Sequence, residues 1–302
     1  VYFNRSGTAI FAARAEEIPL PSRGAPRTLS FRAGGTFTDV EEWTARVEEL
    51  SVINPVGADS ALSFAAEAGP AGGSIERLAY RDGVSRLKGE GTVSYTGGAP
   101  PTLRLEAESA ETGERYDLVL QYEDGDLGGT VDISGSPLRR VVGEPIRGSL
   151  SGTVELETLL AEPRVTLQFE TEEATFNTDS IAADGTVRLT ERAVVMNRVN
   201  MRYLTRAVSD ARGTLDLETG EATVSASVEN LESDGDSPVK ALVRATFDPE
   251  AVPLSFATLG SVPFDAIVRL SGIEFPEGSE EPWELRIART DEEVRVAGGP
   301  QN

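Results

Sequence analysis

The 302-residue chain contains no histidine and no cysteine, and only two lysines, two methionines and two tryptophans. Each absence removes a class of chemistry. Without histidine or cysteine no Ser-His-Asp or Cys-His nucleophile can be built, and no His/Cys zinc, haem or iron–sulfur site. Disulfides are excluded, so cysteine usage carries no information on redox compartment. Basic residues are scarce as well: 28 Lys+Arg stand against 50 Asp+Glu, a formal charge of −22 with a pI near 4.4. Such a surface repels phosphate backbones and argues against nucleic acid as a partner. No stretch of about 18 uncharged apolar residues occurs, and the opening Val1-Tyr2-Phe3-Asn4-Arg5-Ser6-Gly7 is not a basic segment leading into an apolar one. It reads as the middle of a strand, and the chain is expected to be a piece of something longer or a mature chain whose anchor was removed.

What is present is alternation with a period of two. Val187, Leu189, Ala193, Val195, Val199, Met201 and Tyr203 share odd parity, with Arg188, Thr190, Arg192, Arg198 and Arg202 between them. Strand side chains alternate between faces, so this pattern predicts an apolar face opposed to a charged one. Asn197 is expected to mark a hairpin turn within that set. The same alternation recurs at Leu118, Leu120 and Tyr122; Val165, Leu167 and Phe169; Leu215 and Leu217; and Val224, Ala226 and Val228. Turn signals are expected at Asp124-Gly125, Ala183-Asp184-Gly185, Glu218-Thr219-Gly220 and Asp234-Gly235. The prediction is an all-β chain of antiparallel hairpins.

Six phrases of Gly, then Thr, then an apolar residue begin at Gly35, Gly91, Gly129, Gly152, Gly185 and Gly213. They are expected to open strands, and their uneven spacing argues against a strict solenoid or propeller. Helix is confined to Ser136–Gly143, which has a capping serine, a proline at the first helical position and a closing glycine. Val40, Trp43, Val47 and Leu50 fit helical spacing, while Trp43, Ala45 and Val47 also fit a strand. One continuous segment is expected over 1–302, with sub-boundaries near the proline-rich stretches 19–26 and 248–263.

Candidate chemistry is thin, and no enzyme is expected. Ser85-Arg86-Leu87-Lys88 matches the S-x-x-K of penicillin-binding enzymes, but Lys88 and Lys240 are the only lysines, and neither begins a K-T-G triplet. Gly148-Ser149-Leu150-Ser151-Gly152 has leucine where a nucleophile elbow carries its serine. The P-loop pattern is absent. Acidic groups at Glu172-Glu173, Asp234-Gly235-Asp236, Glu280-Glu281 and Asp291-Glu292-Glu293 lack the spacing of a calcium loop and read as solvated turns. No cofactor and no metal site is expected. Two alternatives remain for the apolar faces. They close on one another in a sandwich, as in a structural or adhesive envelope protein, or they line an open channel whose exposed apolar stripe needs an amphiphilic occupant.

Three phrases within Gly129–Glu229 resemble the AsmA-like superfamily, and within it the TamB-type inner-membrane proteins. They are Gly148-Ser149-Leu150-Ser151-Gly152-Thr153-Val154-Glu155-Leu156, followed by Pro163-Arg164-Val165-Thr166-Leu167; Ala183-Asp184-Gly185-Thr186-Val187-Arg188-Leu189, leading into Val194-Val195-Met196-Asn197; and Asp210-Ala211-Arg212-Gly213-Thr214-Leu215-Asp216-Leu217. The resemblance implies a curled, taco-like antiparallel sheet in the periplasm. It would conduct phospholipid acyl chains between inner and outer membrane. It also implies an inner-membrane anchor outside this chain and an outer-membrane β-barrel assembly protein as partner. The implied groove lining is Val154, Leu156, Val165, Leu167, Phe169, Val187, Leu189, Val195, Val199, Met201, Tyr203, Leu215, Leu217, Val224 and Val228.

Overall fold

Alternating apolar residues between short polar turns fold here as strands that each pair with the next in sequence. A computed structural model describes residues 2–3, 9–20, 27–54, 59–95, 99–142, 146–231, 238–247, 264–272, 282–289 and 294–300. The fold is all-β, with twenty strands and one four-residue helix among the described residues. The chain divides into two units, Val1–Gly135 and Ser136–Asn302.

The first unit holds β1 (Tyr2–Phe3), β2 (Ala9–Leu20), β3 (Arg27–Phe37), β4 (Trp43–Ile53) and β5 (Ala61–Gly69). It continues through β6 (Gly72–Arg81), β7 (Arg86–Ser94), β8 (Thr102–Glu108) and β9 (Arg115–Glu123) to β10 (Asp126–Pro137), whose last two residues cross the division. Every consecutive pair is antiparallel. The second unit begins with the helix α1 (Arg139–Val142), one short turn inside the expected stretch Ser136–Gly143; Ser136 and Pro137 are the last residues of β10 and neither caps nor opens it. Then follow β11 (Ile146–Glu157), β12 (Arg164–Phe176), β13 (Asp179–Thr190), β14 (Ala193–Tyr203) and β15 (Arg206–Asp216). The meander ends with β16 (Glu221–Asn230), β17 (Val239–Phe247), β18 (Phe264–Ser271), β19 (Trp283–Arg289) and β20 (Val294–Pro300). These ten strands also pair antiparallel in sequence order.

Bulges curl the sheet in both units, and they fall in the earlier strands of each unit. Register shifts occur at all five pairings from β2 to β7, and at all five from β11 to β16. The later pairings, β7 to β10 and β16 to β20, are regular. An extra residue on one strand bends it and adds right-handed twist, so a series of bulges across neighbouring strands curls the sheet locally.

Several local expectations are corrected. Asn197 lies inside β14, at a bulge between the pairs Val187↔Met196 and Thr186↔Arg198. The turn joining β13 to β14 is at Glu191–Arg192. Ala183-Asp184-Gly185 sits within β13 rather than in a turn. The Gly-Thr-apolar phrases run through strand interiors, so glycine and apolar residue share one face and threonine takes the other. A Cβ at Gly185 would meet the Arg198 carbonyl at 2.6 Å, and one at Gly213 would meet that of Thr223 at 2.5 Å. Close approach of neighbouring backbone is what demands glycine there.

Asp124-Gly125 is a two-residue hairpin turn with φ of 52° and 85°, the left-handed pair that joins twisted strands, and Glu218-Thr219-Gly220 joins β15 to β16. Trp43 to Leu50 is strand β4, which settles the helix-or-strand ambiguity. Of the stretch 19–26, Pro19 and Leu20 belong to β2 and the rest lies outside the described residues; so do 248–263 and Asp234-Gly235.

Candidate functional site

The site is the apolar face of the sheet, and strand register shows how it is assembled. In the second unit one ladder runs across ten strands: Leu156, Val165, Leu189, Val194, Leu215, Ala222, Ala245, Ala266, Ile287 and Val296 stand successively opposite one another. Beside it run Val154, Leu167, Val187, Met196, Gly213, Val224, Val243, Val268, Leu285 and Gly298. A third ladder begins Gly152, Phe169, Gly185, Val199 and Ala211, and a fourth includes Met201, Val208, Val228 and Val239. These ladders carry no charged side chain. With strands about 4.8 Å apart, the two ten-strand ladders each extend about 45 Å.

The opposite face is polar. Thr166, Arg188, Val195, Thr214, Thr223 and Arg244 form one of its ladders. Thirteen of the fifteen expected lining residues share the apolar face: Val154, Leu156, Val165, Leu167, Phe169, Val187, Leu189, Val199, Met201, Tyr203, Leu215, Val224 and Val228. Two do not. Val195 pairs with Arg188 and Thr214 and belongs to the polar face, because the turn at 191–192 and the bulge after Met196 move the apolar set to Val194 and Met196. Leu217 lies beyond the end of β15, in the turn, where its N–H donates to the Arg192 carbonyl at 2.7 Å.

The first unit repeats the design. Ala15, Phe31, Leu50, Phe64, Leu78, Gly89, Ala107, Tyr116 and Ile133 form one ladder over nine strands. Alanine and glycine interrupt it at Ala15, Gly89 and Ala107, and these residues mark an apolar face weakly in sequence. Its polar face holds a row of carboxylates in direct register, Glu90, Glu106, Asp117 and Asp132. Arg115 partly offsets them, 3.3 Å from Glu106 and 3.0 Å from Asp117. A hollow of about 490 Å³ on that polar face is lined by Arg32, Glu48, Glu49 and Arg77, with Arg32 and Glu48 paired at 3.6 Å.

Burial shows what covers the apolar ladders. Among the described residues the buried apolar side chains are five alanines and three leucines, Ala65, Leu87, Ala107, Leu138, Leu150, Ala174, Ala211 and Ala266. No described valine, isoleucine or phenylalanine is buried. A closed sandwich core would bury those residues first. Leu189 is 41% exposed and Met201 38%. Among the described residues the apolar face therefore lacks the buried valine, isoleucine and phenylalanine that a covering second sheet would produce.

Residues with other candidate chemistry are held in local structure. Ser85 is buried and its hydroxyl donates to Glu114, a fully buried carboxylate that also accepts from Thr112 Oγ1 and from the Tyr116 phenol, each at 2.9 Å. Lys88 is exposed on the polar face, opposite Ala79 and Glu108. Gly148–Gly152 is strand interior, with Leu150 buried. Glu172-Glu173 is an exposed bulge in β12; the acidic groups at 234–236, 280–281 and 291–293 lie wholly or mostly outside the described residues. Among the described residues no group of three or more acidic side chains is arranged to hold a metal ion.

No family model and no curated protein matches this sequence, and no solved structure matches its fold.

Proposed function

We propose that this chain is a segment of a periplasmic lipid conduit of the TamB type, in which phospholipid acyl chains lie along the open apolar face between inner and outer membrane. One observation carries the reading. Charge-free ladders cross ten strands of the second unit and nine of the first, and among the described residues none of their valines, isoleucines or phenylalanines is buried. An apolar surface of that extent in water is costly, at roughly 25 cal/mol per Å². An amphiphile removes the cost by laying its chain on the ladders and leaving its headgroup at the margin. About 45 Å of ladder exceeds the acyl depth of one leaflet, about 15 Å, so a lipid fits lengthwise and can advance without meeting a charge.

Transport in this reading is passive. No bond is made or broken, and the polar face with its net negative charge keeps the sheet hydrated. No described helix is long and apolar enough to cross a membrane. Attachment to the inner membrane is assigned to an anchor outside this chain, and delivery to an outer-membrane β-barrel assembly protein. The test is mass spectrometry of small molecules that survive gentle purification. Stoichiometric phospholipid is the expected result; a lipid-free chain that stays monodisperse and takes up no lipid from vesicles overturns the reading.

A further inference from the structure

The apolar face of the second unit changes character at one margin. Beyond the fourth ladder the register places Ile181, Tyr203, Arg206 and Asn230 side by side across β13 to β16. Asp179 precedes Ile181 by two residues and so points to the same face. The Tyr203 phenol donates to Asp179 Oδ2 at 3.2 Å, and its ring packs edge-on against Phe176 at 5.9 Å. Arg206 is exposed and forms no ion pair among the described residues. At the other margin Arg289 stands in register with Phe264 and Val294. The 179–206 margin places an acid and a guanidinium on either side of one aromatic ring at the edge of the apolar ladders.

We propose that Arg206, Tyr203 and Asp179 form a headgroup site for a zwitterionic phospholipid carrying a primary ammonium. This rests on the lipid reading above and names the headgroup it selects. Arg206 supplies the donor fork that matches a phosphodiester. Asp179 and the Tyr203 ring attract the ammonium by charge and by the ring's electron-rich face. The two charges sit on strands two apart, about 10 Å between backbones, a gap the side chains and an ethanolamine headgroup together span. The acyl chains then run inward from Tyr203 over Met201 and Val199. An anionic headgroup without the ammonium meets Asp179 as a like charge and is disfavoured.

The experiment uses the full chain, freed of lipid and incubated with vesicles of phosphatidylethanolamine and phosphatidylglycerol, equimolar with matched acyl chains. The protein is re-isolated and its bound lipid quantified by mass spectrometry. A wild-type preference of about tenfold for phosphatidylethanolamine is expected, the worth of one charge-assisted hydrogen bond. Asp179→Asn should bring the ratio close to one. Arg206→Gln should lower phospholipid uptake about tenfold, and Arg206→Lys, which keeps the charge but not the fork, should fall between. Uptake of both phospholipids and of headgroup-free diacylglycerol alike, unaltered by Arg206→Gln or Arg206→Lys, overturns the site and leaves the lipid reading standing. Uptake of no lipid removes both. Displacement of bound lipid by millimolar glycerophosphoethanolamine would make a soluble phosphodiester the ligand and also overturns the proposal.

Discussion

Arg188 stands directly opposite Val195 across β13 and β14, while its neighbour Val187 faces Met196. One register step thus separates a charged surface from an apolar one, and the two faces can be probed by residues one position apart. Photo-crosslinkers at Val194 and Met196 should capture acyl chains, and those at Val195 and Arg188 should not. Equal labelling at both pairs counts against the assignment of faces.

A charge placed on the ladders separates an open face from a closed core. Val224 stands between Gly213 and Val243, half-exposed. In Val224→Glu the carboxylate can reach water past its neighbours, so the cost in stability should be about 1 kcal/mol, against 3 kcal/mol or more in a sealed interior. Bound lipid should fall at least tenfold. A urea midpoint and a lipid-phosphorus assay on the same preparation read both.

Glu114 ties together the turn before β7 and the connection between β8 and β9 through the hydroxyls of Ser85, Thr112 and Tyr116. Glu114→Ala removes the acceptor of the buried Ser85 hydroxyl and of the Thr112 and Tyr116 hydroxyls and should cost about 3 kcal/mol. Glu114→Gln keeps an acceptor oxygen and should cost less. Ser85→Ala should destabilise by less than Glu114→Ala, since it removes one donor and leaves the others bonded.

Asp216 accepts backbone N–H bonds from Thr219 and Glu218 in the β15–β16 turn, and these hold its carboxyl below the usual carboxylate range. A depressed folded-state value means that its stabilising effect is complete above the ordinary value, near 3.9, and fades as pH falls through the lower folded one. The difference in melting temperature between wild type and Asp216→Ala should be constant from pH 7 to pH 5 and shrink at lower pH. A difference that widens on acidification reverses the assigned sign.

Much of the architecture was legible in the residues. Val165-x-Leu167-x-Phe169 could only be a strand with one apolar face, and Asp124-Gly125 could only be a tight turn with left-handed backbone. Val195 and Asn197 were misplaced for a physical reason. Val194-Val195-Met196 is apolar at three consecutive positions, so parity within it is undefined until the turn at 191–192 and the bulge after Met196 fix the register. The first unit's face was faint because alanine and glycine build ladders without registering as strongly hydrophobic. Arg206 and Asp179 are 27 positions apart in sequence, and nothing in their local context marks them as facing the same margin.

By itself the sequence determined an antiparallel all-β chain, two-faced along most strands, strongly acidic, and without the histidine or cysteine that most nucleophilic and metal chemistry requires. Tertiary structure decided which face each residue occupies beyond a bulge, since one inserted residue turns every later side chain to the other side. It also decided that among the described residues the apolar side buries no valine, isoleucine or phenylalanine, because covering a face depends on distant strands that alternation alone cannot place.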